Sequence, residues 1–274
     1  MPRRSVKSLL IKFLPVPGKT LPMISVPSTA GTGAEVTVCA VVHNSQGVKT
    51  STVLIGLDVT NVVLDSELTI HAPQTVTAAC GMDALSHVIE GAVSDVKVDE
   101  ANMYLSKEGV RLIFENLPIV MREPENIEAR LNMCRAAYFG GHAINTQLAG
   151  YVHAFAHSIG AKYHLPHGQA ISLMLMPVLE FQKKVCIEKY AMLARHCHFA
   201  HLDTDDEQAA ELFLQTVAQL MAQCGMDKLV SPVKAEDYAE LISMVAQDSI
   251  NYSAPITLNN SDIEKILKTV TPNP

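Results

Sequence analysis

Eleven histidines occur in the 274 residues, and three groups of them could grip one cation. In Gly81–Glu90 (GMDALSHVIE), Asp83 and His87 stand four residues apart. On a helix that spacing puts both on one face, so a carboxylate oxygen and an imidazole nitrogen can meet at one ion. Their neighbours Met82, Leu85, Val88 and Ile89 are apolar. A carboxylate buried among such residues needs a hydrogen-bonding partner or a metal. In Gly150–Gly160 (GYVHAFAHSIG), His153 and His157 repeat the four-residue step in an equally apolar setting. Tyr163–Gly168 (YHLPHG) follows as a Pro/Gly-punctuated turn that can swing His164 or His167 back to the same ion.

One Asp and three His make an N3O shell, which suits Zn²⁺ or Fe²⁺ and leaves a position open for a substrate oxygen. A single D-x-x-x-H or H-x-x-x-H pair is more often an ordinary hydrogen-bonded couple. Here two pairs and a third histidine group share one apolar helical region, and spacing leaves His153, His157, His164 and His167 all open as ligands. His196, Cys197, His198 and His201 look ligand-like, but they lie on a helix-like stretch with no carboxylate face nearby. A mixed helix surface is expected there. A different chemistry is suggested by Pro27–Glu35 (PSTAGTGAE), which follows a predicted strand. Its small residues let the backbone approach a phosphate or ribose, and its hydroxyls can donate to oxygens. Neither G-x-G-x-x-G nor G-x-x-x-x-G-K-[ST] occurs in the chain.

The elements that must position these groups change character along the chain. Met23–Pro27, Val36–His43, Val53–Ile55 and Asn61–Leu64 read as short strands, with a turn at Asn44–Gly47. After about residue 70, helix signals follow one another. Pro73 opens a helix carried by Thr75–Glu90, and Ile127 to Tyr138 repeats apolar residues at three- and four-residue steps. Thr204/Glu207 and Ser261/Glu264 read as capping boxes, and Gly225 as a helix stop. Leu9–Leu14, interrupted by Lys12 and cut by Pro15 and Pro17, reads as a surface helix entering a turn rather than a secretion signal.

Composition narrows the partners. A net charge of −7, the absence of Trp and the lack of a basic stripe argue against nucleic acid. No apolar run approaches the roughly 18 residues of a membrane span. Six cysteines without a C-x-x-C pair read as reduced core residues of a cytoplasmic protein.

Together these strings resemble the iron-containing (group III) alcohol dehydrogenases. The likeness runs from about Leu21 to the C-terminus and is carried by Pro27–Thr37 (PSTAGTGAEVT), Gly81–Glu90 and Gly150–Gly168 (GYVHAFAHSIGAKYHLPHG). The resemblance implies that Asp83, His87, His153 and His167 hold Fe²⁺, with Zn²⁺ as the alternative. It places His157 beside the nicotinamide and substrate without binding metal, where it can relay a proton, and leaves His164 as a loop neighbour. It implies that Ser28, Thr29 and Thr32 contact NAD or NADP, with Thr37 and Lys49 as further cofactor positions. The implied reaction interconverts a small primary alcohol or diol and its aldehyde, in a homodimer.

The expected fold is mainly α, of the dehydroquinate synthase-like superfamily. Residues 71–274 form an all-helical metal-binding catalytic domain, preceded in 1–70 by a short α/β remnant of a nucleotide-binding domain. Two departures from the family pattern stand out. Ala34 replaces the usual Ser before Glu35. Only about 20 residues precede the Thr-Ala-Gly-Thr-Gly strand, fewer than the roughly 30 of one βαβ unit, and no Gly-Gly-Gly-Ser turn is present. The expectation is therefore a fragment or a wrongly chosen start, with the nucleotide-binding half supplied by a separate chain as an alternative. The rival functions are a non-catalytic metal-binding, oligomerising remnant, a polyol dehydrogenase, and a dehydroquinate synthase-like lyase.

Overall fold

A computed structural model describes residues 22–43, 49–53 and 59–272. The helix and turn read at 9–18, the turn at 44–47 and the last two residues of the run at 53–55 lie outside the described residues. Among the described residues four short strands precede the helices: β1 (Ile24–Ser25), β2 (Cys39–His43), β3 (Lys49–Val53) and β4 (Asn61–Val62). β1 pairs in parallel with β4, Ile24 opposite Asn61. β2 and β3 form an antiparallel pair running from Cys39↔Val53 to His43↔Lys49.

Eight helices follow among the described residues: α1 (Gln74–Val93), α2 (Glu100–Arg122), α3 (Ile127–Gln147), α4 (Tyr151–Tyr163), α5 (His167–His196), α6 (Asp206–Gln223), α7 (Tyr238–Asp248) and α8 (Asn260–Val270). None is long and apolar enough to cross a membrane. The mainly α architecture expected from the sequence is present. α1 is its centre. From Gly81 to Val93 every residue of α1 is buried, its polar residues Asp83, Ser86, His87 and Glu90 included. It packs against α2, α3 and α5, while α4 lies between α5 and α7. The Lys162 ammonium, 3.0 Å from Asp237, and the Tyr163 hydroxyl, donating to Asp237 at 2.7 Å, fasten the start of α7 to the end of α4.

The helix starts are set by short polar side chains. Asp99 accepts from Asn102 N–H at α2, and Asn126 accepts from Ala129 N–H at α3. Two expected boxes are corrected. Asp205, not Thr204, caps α6 by accepting from Gln208 N–H, because the residue next to Thr204 carries a carboxylate one position closer to the free amides. The box at α8 is Asn259 with Asp262, whose side chain accepts from Asn259 N–H, while Glu264 turns to Lys268. α6 stops as expected at Gly225, whose φ is +68°.

The segment 28–38 lies along α3. Gly33 has φ +64°, and a side chain there would stand 2.3 Å from the Ala137 carbonyl oxygen, so only glycine permits this approach. Asn145 pins the following residues, accepting from Val38 N–H and donating to the Val36 carbonyl.

The distal core rests on aromatic contacts. Tyr190 and Phe213 stack at 5.5 Å, and Phe114 packs edge-on to Phe199 at 4.8 Å. Phe213→Ala is expected to lower the unfolding free energy by about 3–5 kcal/mol. Leu202→Ala, at a residue 87% exposed, should stay within about 0.5 kcal/mol. Urea titration of both variants checks the pair.

Candidate metal centre

Three helices bring their groups to one point. α1 contributes Asp83 and His87, α4 contributes His153, and α5 contributes its first residue, His167. Asp83 Oδ1 lies 3.2 Å from His167 Nε2 and 3.8 Å from Nε2 of both His87 and His153. Ligand atoms of Asp83, His153 and His167 all fall within 4.8 Å of one another. The His87 and His153 rings stack at 4.5 Å with planes 14° apart. Asp83, His87 and His153 are buried, whereas His167 is open on one side.

Asp83 Oδ2 accepts from the Thr32 hydroxyl at 3.0 Å. Asp83 Oδ1 and His153 Nε2 are buried without any hydrogen-bond partner, and both face the centre. Unpartnered buried polar atoms are rare, because each forfeits its hydration. Two of them converging with two further imidazoles is a donor set that fits a divalent ion. His87 Nδ1, on the far side of its ring, is also unpartnered.

Electrostatics split the stacked pair. Burial drives His87 down to about 3, outweighing the attraction of Asp83. Burial also disfavours charge on His153, but Glu90 and Asp83 outweigh it and raise its pKa to about 9. For Asp83, burial pushes the carboxyl up, yet His87, His153 and His167 hold it well below the usual carboxylate range. Charge is thus favoured on the His153 ring and disfavoured on the His87 ring stacked against it.

The remaining expected residues fall in different places. His157 turns away from Asp83, with its Nδ1 3.0 Å from Asp248 Oδ2 and 2.9 Å from Tyr252 Oη. Its ring stays 5.3 Å from that of His167. His164 is exposed at the end of α4 with φ +56°, a left-handed residue that redirects the chain into α5. Ser28, Thr29 and Thr32 are exposed, while Gly31, Gly33 and Glu35 are buried. Burial pushes the Glu35 carboxyl up. Thr37 is half-buried and its hydroxyl donates to the Ala34 carbonyl at 3.4 Å. Lys49 opens β3 opposite His43.

Around His196 one expectation is corrected. A carboxylate does face it, since packing of α5 on α2 brings Glu108 Oε2 to 3.4 Å from His196 Nε2. Glu108 is already paired with Arg111, and no metal-like cluster forms there among the described residues. Sequence reasoning missed Glu90, Asp248 and Tyr252 as neighbours of the histidines. Glu90 lies 63 residues from its partner His153, and Asp248 lies 91 residues from His157, so no local spacing signals them.

Residues 77–271 match the model of the iron-containing alcohol dehydrogenase family, C-terminal part. The chain belongs to that family. Asp83, His87, His153, His157 and His167 all lie inside the matched stretch, and Ser28 to Lys49 precede it. A 1-propanol dehydrogenase of Salmonella typhimurium is 30% identical over 243 residues, covering 87% of this chain and 65% of that protein. A 1,3-propanediol dehydrogenase of Citrobacter freundii is 32% identical over 253 residues, covering 90% and 64%. The chain thus spans just under two thirds of the length of these relatives. Among solved structures, a 1,3-propanediol oxidoreductase superposes with TM-score 0.87 at 30% identity, covering 94% of this chain and 67% of that one. A sulfoacetaldehyde reductase from Bifidobacterium kashiwanohense in complex with NAD⁺ superposes with TM-score 0.86 at 27% identity, covering 98% and 70%.

The charge state of His153 gives this family member a testable pH signature. Its pKa rises from 6.5 unfolded to about 9 folded. Its contribution to stability is therefore full below pH 6.5 and is lost as pH rises through 9. A bound cation requires unprotonated imidazole and gains affinity over the same window. Melting temperature should fall between pH 6.5 and 9 with EDTA present and hold or rise with excess Zn²⁺. Parallel slopes in the two titrations would remove the assignment of that proton.

Proposed function

We propose that Asp83, His87, His153 and His167 hold one divalent ion, Fe²⁺ or Zn²⁺. We further propose that the chain serves an NAD(P)-linked oxidoreductase interconverting a small primary alcohol or diol and its aldehyde. The observation that carries the reading is the pair of buried, unpartnered atoms, Asp83 Oδ1 and His153 Nε2, converging with His167 Nε2. The named activities of the relatives, a 1-propanol and a 1,3-propanediol dehydrogenase, support the substrate class. The NAD⁺ bound to the related sulfoacetaldehyde reductase supports the cofactor class.

When bound, the ion supplies Lewis acidity toward the substrate oxygen and the nicotinamide exchanges the hydride. The chain's own residues do the rest. Asp83 and the three imidazoles hold the cation on the rigid faces of α1, α4 and α5, with the open side at His167 facing the substrate. Asp248 accepts from His157 Nδ1, which leaves Nε2 of His157 to take or give the proton that passes between the substrate oxygen and solvent or ribose hydroxyls. The exposed hydroxyls of Ser28, Thr29 and Thr32 would contact the dinucleotide, with Thr37 and Lys49 as further cofactor positions in the chain. Gly31 and Gly33 let that segment lie against α1 and α3. Residues 1–70 belong to the nucleotide-binding side and 71–274 to the metal side. A homodimer in the cytoplasm, or a partner chain completing the nucleotide side, belongs to the same reading.

The test loads the purified chain with Fe²⁺ anaerobically, titrates NADH by fluorescence and then assays 1-propanol and 1,3-propanediol. One Fe²⁺ per chain, micromolar NADH binding and alcohol turnover are expected. Metal held without NADH binding up to millimolar would overturn the oxidoreductase reading for this chain, and no metal held would overturn the site. His157→Ala should retain the metal and lower kcat by roughly 10²–10⁴-fold with a changed pH profile. Full activity at every pH would remove His157 from proton transfer.

A further inference from the structure

The start of α4 lacks a cap of its own. Its N-cap is Gly150, which has no side chain to accept from the first amides. A carboxylate from another helix takes that place. Glu90, on α1 and buried, accepts from Val152 N–H through Oε1 at 2.7 Å. Its other oxygen, Oε2, accepts from His153 Nδ1 at 2.5 Å. A side chain at Gly150 would stand 2.8 Å from Glu90 Oε1, so glycine at the cap and the incoming carboxylate require one another. An anion at a helix N-terminus is also favoured by the free amides there.

A carboxylate only accepts, so it selects the form of His153 that carries hydrogen on Nδ1. The other nitrogen, Nε2, is then the one turned to Asp83 and left without a partner. One side chain thus orders the first turn of α4, fixes the ring of His153 and chooses which nitrogen reaches the centre.

We propose that Glu90 is a positioning residue for the metal centre, acting through His153 to set cation affinity. The inference rests on the reading that the centre binds a metal ion. Carboxylate partners of ligating histidines typically change metal affinity by about 10–100-fold when removed.

The test uses Zn²⁺ alone, competed against a chromophoric chelator, with melting temperature recorded on the same samples. Glu90→Gln keeps the volume and one accepting oxygen, but amide hydrogens must oppose either Val152 N–H or His153 Nδ1–H. Zn²⁺ affinity is expected to fall by about 10–100-fold. A second variant, Glu90→Ala with Gly150→Ser, gives α4 a cap of its own and nothing for His153 to donate to. It should regain melting temperature over Glu90→Ala alone while affinity stays at least about tenfold down. Affinity that recovers together with melting temperature would make Glu90 a helix cap only and overturn the proposal. Wild-type binding with an unchanged Glu90→Gln variant would overturn it while leaving the metal site standing. No Zn²⁺ bound by the wild-type chain would overturn the metal site and this role together.

Discussion

A carboxylate lies in the middle of the most buried helix of the molecule, and the packing around it follows from that constraint. α1 is enclosed on every side from Gly81 to Val93, so each polar group it carries must be met by a neighbouring element. Thr77 receives the Arg130 guanidinium of α3 at 3.1 Å. Ser86 turns back onto its own helix, donating to the Asp83 carbonyl. Glu90 reaches the start of α4. Asp83 Oδ2 takes the Thr32 hydroxyl, and Oδ1 faces three imidazoles without a hydrogen bond. Apolar contacts make the bundle stable, but they do not by themselves choose the rotation of one helix against another. These polar pairings do, since a turn of α4 about its axis would take the Val152 amide and His153 away from Glu90 and leave that buried carboxylate unpaired.

The charges within the centre are unevenly shared between its carboxylates and imidazoles. Asp83 and Glu90 bring two carboxylates into a buried space, and the structure offsets them with a proton on His153. His87, stacked directly on that ring, is kept neutral by burial. Two stacked imidazolium rings would repel strongly at that distance, so charge on His153 disfavours charge on His87. A divalent ion would deliver more charge to the same place without placing it on either ring. It would also occupy the lone pairs of Asp83 Oδ1 and His153 Nε2, the two atoms that the protein alone leaves unsatisfied.

What the sequence reveals of this arrangement is its local part. Asp83 and His87 meet because a helix brings residues four apart together, and that spacing is visible in the string itself. The same rule places His153 and His157 on one face of α4 and cannot tell them apart. They are separated by contacts from distant elements: Glu90 of α1 reaches His153, while Asp248 at the end of α7 draws His157 outward. His164 and His167 differ likewise through backbone geometry, the one ending α4 in a left-handed conformation and the other beginning α5. Misplaced caps have a simpler origin. Around residues 204–207 and 259–264 several short polar residues could serve, and a one- or two-residue offset decides which side chain meets a free amide.

The segment 28–35 connects the two chemistries. Burial alternates along it, with Gly31, Gly33 and Glu35 turned inward and the hydroxyl residues Ser28, Thr29 and Thr32 facing out. The glycines are needed because α1 and α3 come too close for any side chain, and that closeness is what lets the Thr32 hydroxyl reach Asp83. Thr32 thereby stands at a junction. It donates to an oxygen of the buried carboxylate, yet it remains exposed on the face read as meeting the dinucleotide. If Thr32 swung away, Asp83 Oδ2 would lose its hydroxyl donor. If the centre lost Asp83, the segment would lose the bond that holds its tip to α1. The position of the exposed hydroxyls and the charge held by the bundle are therefore tied through one hydrogen bond.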